Sequence, residues 1–92
     1  MVSERILGLD MTKLLRIEAA YTKYGKTRSP FYADIAAGLM TKPVKIGIRA
    51  AVIPEIELDA IISARIAGKS DAEIRKLVIQ LEAARKTAGA QQ

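Results

Sequence analysis

Apolar residues recur at helical spacing in two stretches of the second half of the chain. Leu58, Ile61, Ile62 and Ile66 form one stripe, and Ile74, Leu77, Val78 and Leu81 form another. The first stripe follows Pro54, suited to a first helical position, and Glu55, Glu57 and Asp59, suited to the positive end of a helix. Gly68 ends it, and Ser70-Asp-Ala-Glu73 is a capping box that starts the second. The closing Ala-Gly-Ala-Gln-Gln is expected to fray. Earlier, Glu18 to Tyr24 predicts a short helix stopped at Gly25. Ser29 as N-cap and Pro30 at the first position predict another, running to Ala37 and stopping at Gly38. The period then changes to two. Val44 and Ile46 alternate, Ala51-Val-Ile53 is a second β-prone run, and Gly47-Ile48-Arg49 makes the turn between them. Met1 to Lys13 has no clean period and reads as an arm.

Two helices joined by about three residues with a glycine at the corner outline a helix-turn-helix. A basic hairpin directly after the second helix is a wing. The expected fold is therefore mainly α with a small β-hairpin, a winged helix-turn-helix with an appended C-terminal helix. The divisions expected along the chain are residues 1–13 for the arm, 14–68 for the winged unit and 69–92 for the last helix and its tail. Ninety-two residues suffice for one domain. Aromatics are only 4% of the chain, so the core is expected to be aliphatic.

Composition removes several chemistries. With no His and no Cys there is no disulfide, no thiol or imidazole catalysis and no zinc site of ordinary ligands. The ten acidic residues are scattered singly, so neither a metal nor another cofactor is expected, and no enzymatic activity. Fifteen Lys and Arg against ten acids give a net charge of +5, which favours a polyanionic partner, nucleic acid, as double-stranded DNA, ahead of an acidic membrane surface. No apolar run approaches a membrane span of about 20 residues, so no membrane partner is expected. The first residues lack the features of a secretory signal, which makes the cytoplasm the expected location.

Several segments together resemble the AlpA-like phage regulators, small winged-helix proteins related to the excisionases and to MerR-type readers. They are Leu14-Leu-Arg-Ile17, Tyr24-Gly-Lys-Thr-Arg-Ser-Pro-Phe-Tyr32, Lys42-Pro-Val-Lys-Ile-Gly-Ile-Arg-Ala50, Pro54-Glu-Ile-Glu-Leu-Asp-Ala60 and Ala64-Arg-Ile66. The resemblance covers about Leu14 to Gly68, and the Lys42–Ala50 segment is its most specific part. It implies transcription regulation of an integrase or prophage gene, or direct excisionase action in DNA recombination at attachment sites. The chain departs from the family pattern in three places. Ala33-Asp34 stands where a basic residue is usual, Lys26 replaces an apolar turn residue, and Ile53 and Ile61 occupy positions often filled by Trp.

The DNA-facing set expected from these readings begins with Lys23, Lys26, Thr27, Arg28 and Ser29 around the turn. A helix N-terminus there also offers free N–H groups to phosphates. Tyr32 lies off the Phe31/Ile35 side, where its hydroxyl is placed for a phosphate. Ala33 and Ala36 permit close approach to the major groove but supply no donors, so base readout should be thin. Lys42, Lys45 and Arg49 arm the wing, with Arg49 suited to a narrow minor groove. Lys13 and Arg16 are further candidates for backbone contact. On the last helix, Asp71–Arg75 and Glu82–Lys86 have the spacing of solvated i,i+4 pairs.

The Ile74, Leu77, Val78 and Leu81 stripe has two readings, as a cover for the core or as an oligomerisation surface. Ile79 and Ile56, both off their helices' main stripes, favour self-association or cooperative binding on DNA. The alternative function is a protein-interaction adaptor, anti-repressor-like, that works through this last helix.

Overall fold

The computed structural model describes residues 13–90, with side chains described as far as Lys86. The arm expected over Met1 to Thr12 lies outside the described residues. The elements are β1 (Leu14–Arg16), α1 (Ile17–Tyr24), α2 (Arg28–Ala36), β2 (Val44–Gly47), β3 (Ala50–Pro54), α3 (Glu55–Ile66) and α4 (Asp71–Ala90). The chain is mainly helical with one small antiparallel sheet, in a winged helix-turn-helix arrangement. The sheet has three strands in the order β1-β3-β2, not the two of a lone hairpin. Leu15 lies opposite Ile53, and Glu55 N–H donates to the Lys13 carbonyl at 2.9 Å to continue the pairing. β1 thus ties the start of the helix-turn-helix to the inner strand of the wing.

The turn between α1 and α2 is set by Gly25, whose φ of 83° lies in the left-handed region. Its amide donates to Thr22 O, and that of Lys26 to Tyr21 O, which closes the helix and turns the chain within three residues. α2 begins two residues earlier than Ser29-Pro30 indicates. Thr27 is its N-cap, in extended conformation and without a side-chain cap bond, and Ser29 and Pro30 sit inside the first turn. Gly38, at φ 79°, ends α2 in the same left-handed way, and Leu39 N–H donates to Asp34 O at 2.8 Å. Pro54 is the N-cap of α3 and not its first residue, because it also closes β3.

One core joins every helix. Phe31, Met40, Ile53, Leu58, Ile61 and Ile74 are fully buried with Ala20, and Val78 nearly so. Tyr21 and Tyr24 meet the Phe31 ring at 6.1 and 6.3 Å between centroids, so the few aromatics cluster on α1 and α2. Leu77 and Leu81 pack against this core half-buried. The oligomerisation role expected of Ile74, Leu77, Val78 and Leu81 is therefore corrected: their stripe faces inward across α3 and the α2–β2 connection. The division at residue 68 is not a core boundary for the same reason. Ile66 is corrected too. It is the last residue of α3 and is 82% exposed.

The Ser70–Glu73 capping box forms as expected. Glu73 N–H donates to Ser70 Oγ at 3.2 Å and Ser70 N–H to Glu73 Oε1 at 2.9 Å. These bonds to Ser70 hold the Glu73 carboxyl below its ordinary pKa. Past them the helix is assigned as far as Ala90.

Candidate nucleic-acid interface

Where the N-terminus of α2 meets the wing, Arg16, Arg28, Tyr32 and Arg49 surround an open cleft of about 280 Å³, with Ile17, Glu18 and Ala51 completing its walls. Each cation arrives from a different element. Arg16 closes β1, Arg28 opens α2 and Arg49 stands in the turn between β2 and β3. The Arg28 guanidinium lies 5.3 Å from the centroid of the Tyr32 ring, a cation–π contact that holds it on the outer side of α2. Tyr32 itself is exposed while its neighbour Phe31 is buried, as the helical spacing predicts. Register places Lys45 opposite Ala51, which lines the cleft, so Lys45 shares that face of the sheet. Ala33 and Ala36 are exposed on the outer side of α2 beyond the cleft.

The first-turn amides of Arg28 and Ser29 have no acceptor within the helix, since the series begins with Phe31 N–H donating to Thr27 O at 3.1 Å. Thr27 and Ser29 are both exposed here. Two bare N–H groups beside an arginine form a place where a phosphate oxygen is well received.

The remaining expected contacts separate by what holds them. Lys23 is drawn away, its ammonium 2.8 Å from both Glu55 and Asp59. Hydrogen bonds to Asp59 and then Glu55 raise the Lys23 pKa, and the same Lys23 contact lowers that of Glu55. Lys26 is bound to Asp34 and lies over the Tyr24 ring. The two side chains satisfy one another as an ion pair. Lys23 and Lys26, expected in the DNA-facing set, are thus corrected: both are paired with acids of the same chain. Lys42 lies apart from the cleft, beside α4.

Acids elsewhere are consumed in the same way. Arg65 joins Asp71 at 3.1 Å and donates to the Tyr24 hydroxyl at 3.1 Å, and Arg85 grips the buried Glu57 through two bonds of 2.6 and 2.7 Å. The pairing expected between Asp71 and Arg75 therefore does not form, because Arg75 reaches instead to the Ala37 carbonyl at 2.9 Å. Nor does Glu82 pair with Lys86. It accepts from the Lys42 backbone N–H at 2.8 Å, while Arg85 donates to the Lys42 carbonyl at 2.7 Å. Three side chains of α4 thus hold the backbone between α2 and β2. Sequence spacing gives no signal for this brace, since its partners are far apart along the chain.

Among the described residues Arg16, Arg28, Lys45 and Arg49 have no carboxylate within ion-pair distance, and Glu18 is the one acid at the cleft. Among the described residues no group of three or more acidic side chains converges as a metal site requires. Among them, too, no helix is long and apolar enough to cross a membrane. Comparisons with protein-family models, with curated proteins and with solved structures give no match.

Proposed function

We propose that this protein binds double-stranded DNA in a sequence-directed manner, as a regulator of phage or mobile-element genes or as an excisionase-type accessory of recombination. One observation carries the reading: Arg16, Arg28 and Arg49 from three different elements, with Lys45 on the same sheet face, meet where α2 and the wing adjoin, and none of the four is paired with an acid of the described residues. Binding through that face needs no catalysis. α2 enters the major groove, its bare first-turn amides and Arg28 take a phosphate, and Arg49 and Lys45 reach the neighbouring backbone or minor groove. The AlpA-like resemblance of Leu14 to Gly68 supports the regulatory class. A cytoplasmic location fits this reading.

The alanine face of α2 supports the view that one copy discriminates weakly and that copies cooperate on adjacent sites. With the α4 stripe buried, the exposed Ile79 and Ile66 are the apolar side chains of α3 and α4 best placed for such contacts.

Arg49→Ala is expected to weaken binding to short duplexes by about 1–3 kcal/mol with unfolding unchanged. Lys76→Ala, on the exposed side of α4, is expected to change binding by less than about 0.5 kcal/mol. Fluorescence anisotropy at one salt concentration measures both. Equal losses would replace the cleft with a diffuse electrostatic surface.

A further inference from the structure

The wing ends in a turn that folding alone does not account for. Gly47 pairs with Ala50, so Ile48 and Arg49 form a two-residue loop beyond the last rung of the ladder. Such loops favour Asn, Asp and Gly because the common hairpin turns require positive φ. Here neither residue has positive φ, and neither does Gly47. The mismatch is absorbed by a bulge at Ile46, where Lys45 faces Ala51 but Gly47 faces Ala50. The outcome is a tip carrying an isoleucine that is 93% exposed, the most exposed large apolar side chain among the described residues, with Ile46 behind it at 54%. A lone apolar side chain on a protein surface is ordinary. One held at the apex of a protruding hairpin, at a turn position it does not suit, and between the unpaired cations Lys45 and Arg49, is placed for contact.

From this we infer that Ile48 is a wedge: the flanking cations bring the tip into the minor groove, and the isoleucine enters between two base pairs, unstacks them and bends the duplex. The inference rests on the DNA-binding reading and adds to it a deformation step and the residue responsible. The chemistry fits on both sides. Cations attract the tip to phosphates and to the negative potential of a narrow groove. An aliphatic side chain then covers the base faces that partial unstacking exposes, as apolar wedges do in minor-groove proteins that kink DNA by roughly 20–90°. Flexible pyrimidine–purine steps are the ones that yield most easily. Specificity would then come partly from deformability, which suits a recognition helix with few donors.

The test uses the full chain and a short duplex containing a central TpA step, with fluorophores at its ends and 2-aminopurine in place of the adenine at that step. Binding is followed by anisotropy, bending by energy transfer between the ends, and unstacking by 2-aminopurine emission. Wild-type protein is expected to shorten the end-to-end distance and raise the emission. Ile48→Ala is expected to bind within about tenfold of wild type, since lost burial is offset by unstacking no longer required, while both other signals fall by more than half. Ile48→Leu is expected to retain them. The wedge is overturned if wild type binds without bending, or if Ile48→Ala bends the duplex as wild type does. It is also overturned if the substitution changes only the self-association of the free protein in sedimentation, which assigns the tip to a second copy. Absence of any binding removes the DNA reading and the wedge together, whereas binding without deformation removes the wedge alone.

Discussion

A chain cut after Gly68 will not fold. The cut removes Ile74 and Val78, both buried against Phe31, Met40, Leu58 and Ile61, together with the half-buried Leu77 and Leu81. At roughly 1.5–3 kcal/mol for each fully buried side chain, and about half that for the other two, the loss is roughly 5–9 kcal/mol. A domain of this size has a total stability of roughly 5–15 kcal/mol. The cut also strips Arg85 from Glu57, leaving a carboxylate in the interior without its partner. Circular dichroism and amide dispersion in a proton NMR spectrum are the measurements. The fragment should show little helix and collapsed dispersion. A cooperative melt with native-like dispersion would instead return α4 to the role of a detachable assembly helix.

The second large effect is expected at Arg85. Its guanidinium bridges Glu57 on α3 and the Lys42 carbonyl ahead of β2, and hydrogen bonding to Glu57 holds its pKa above the ordinary value. Arg85→Ala strands a carboxylate only 4% exposed. A broken pair of this kind costs about 3 kcal/mol, or roughly 12–24 °C in Tm for so small a domain. Arg85→Lys should recover only part of that, because an ammonium cannot make the paired bonds of the planar fork. The double variant Glu57→Leu with Arg85→Met should melt close to wild type, since hydrophobic replacements of buried ion pairs are often neutral or better. Thermal unfolding of the three variants decides it. Equal melting of Arg85→Ala and wild type would mean that Glu57 is hydrated and the brace contributes nothing.

Legibility in the sequence followed the range of the interaction. Gly25, Gly38 and Gly68 end helices through their own φ, and Ser70 with Glu73 closes a box three residues wide, so local reading found these stops and starts. The hairpin was equally plain from alternation and a glycine. β1 was hidden because Leu14 to Arg16 is too short to show a period and pairs with a strand on the far side of both helices. α2 starts ahead of the strong local signal Ser29-Pro30 because extended Thr27 caps the helix through its backbone alone.

The site divides in the same manner. Arg28, Tyr32, Lys45 and Arg49 could be placed from neighbours in sequence, while Arg16 reaches the cleft only through the pairing of β1. Lys23 and Lys26 meet acids from α3 and from the next helix, and ion pairing across elements leaves no mark on spacing. The buried faces of α3 and α4 were predicted as stripes, yet an amphipathic stripe does not say whether its partner lies in the same chain. Glu57–Arg85 had no sequence signal at all.

The central claim, that a small set of unpaired cations on the helix-turn-helix and wing grips DNA phosphates, is tested most directly by the salt dependence of binding. Arg16, Arg28, Lys45 and Arg49 together neutralise about four phosphates, which gives a log–log slope of roughly −3 to −4 in anisotropy titrations across a salt series. Arg28→Ala should reduce its magnitude by about 1, and Lys23→Ala should leave it unchanged. A slope near zero, or one that responds to Lys23 as strongly as to Arg28, would contradict the account.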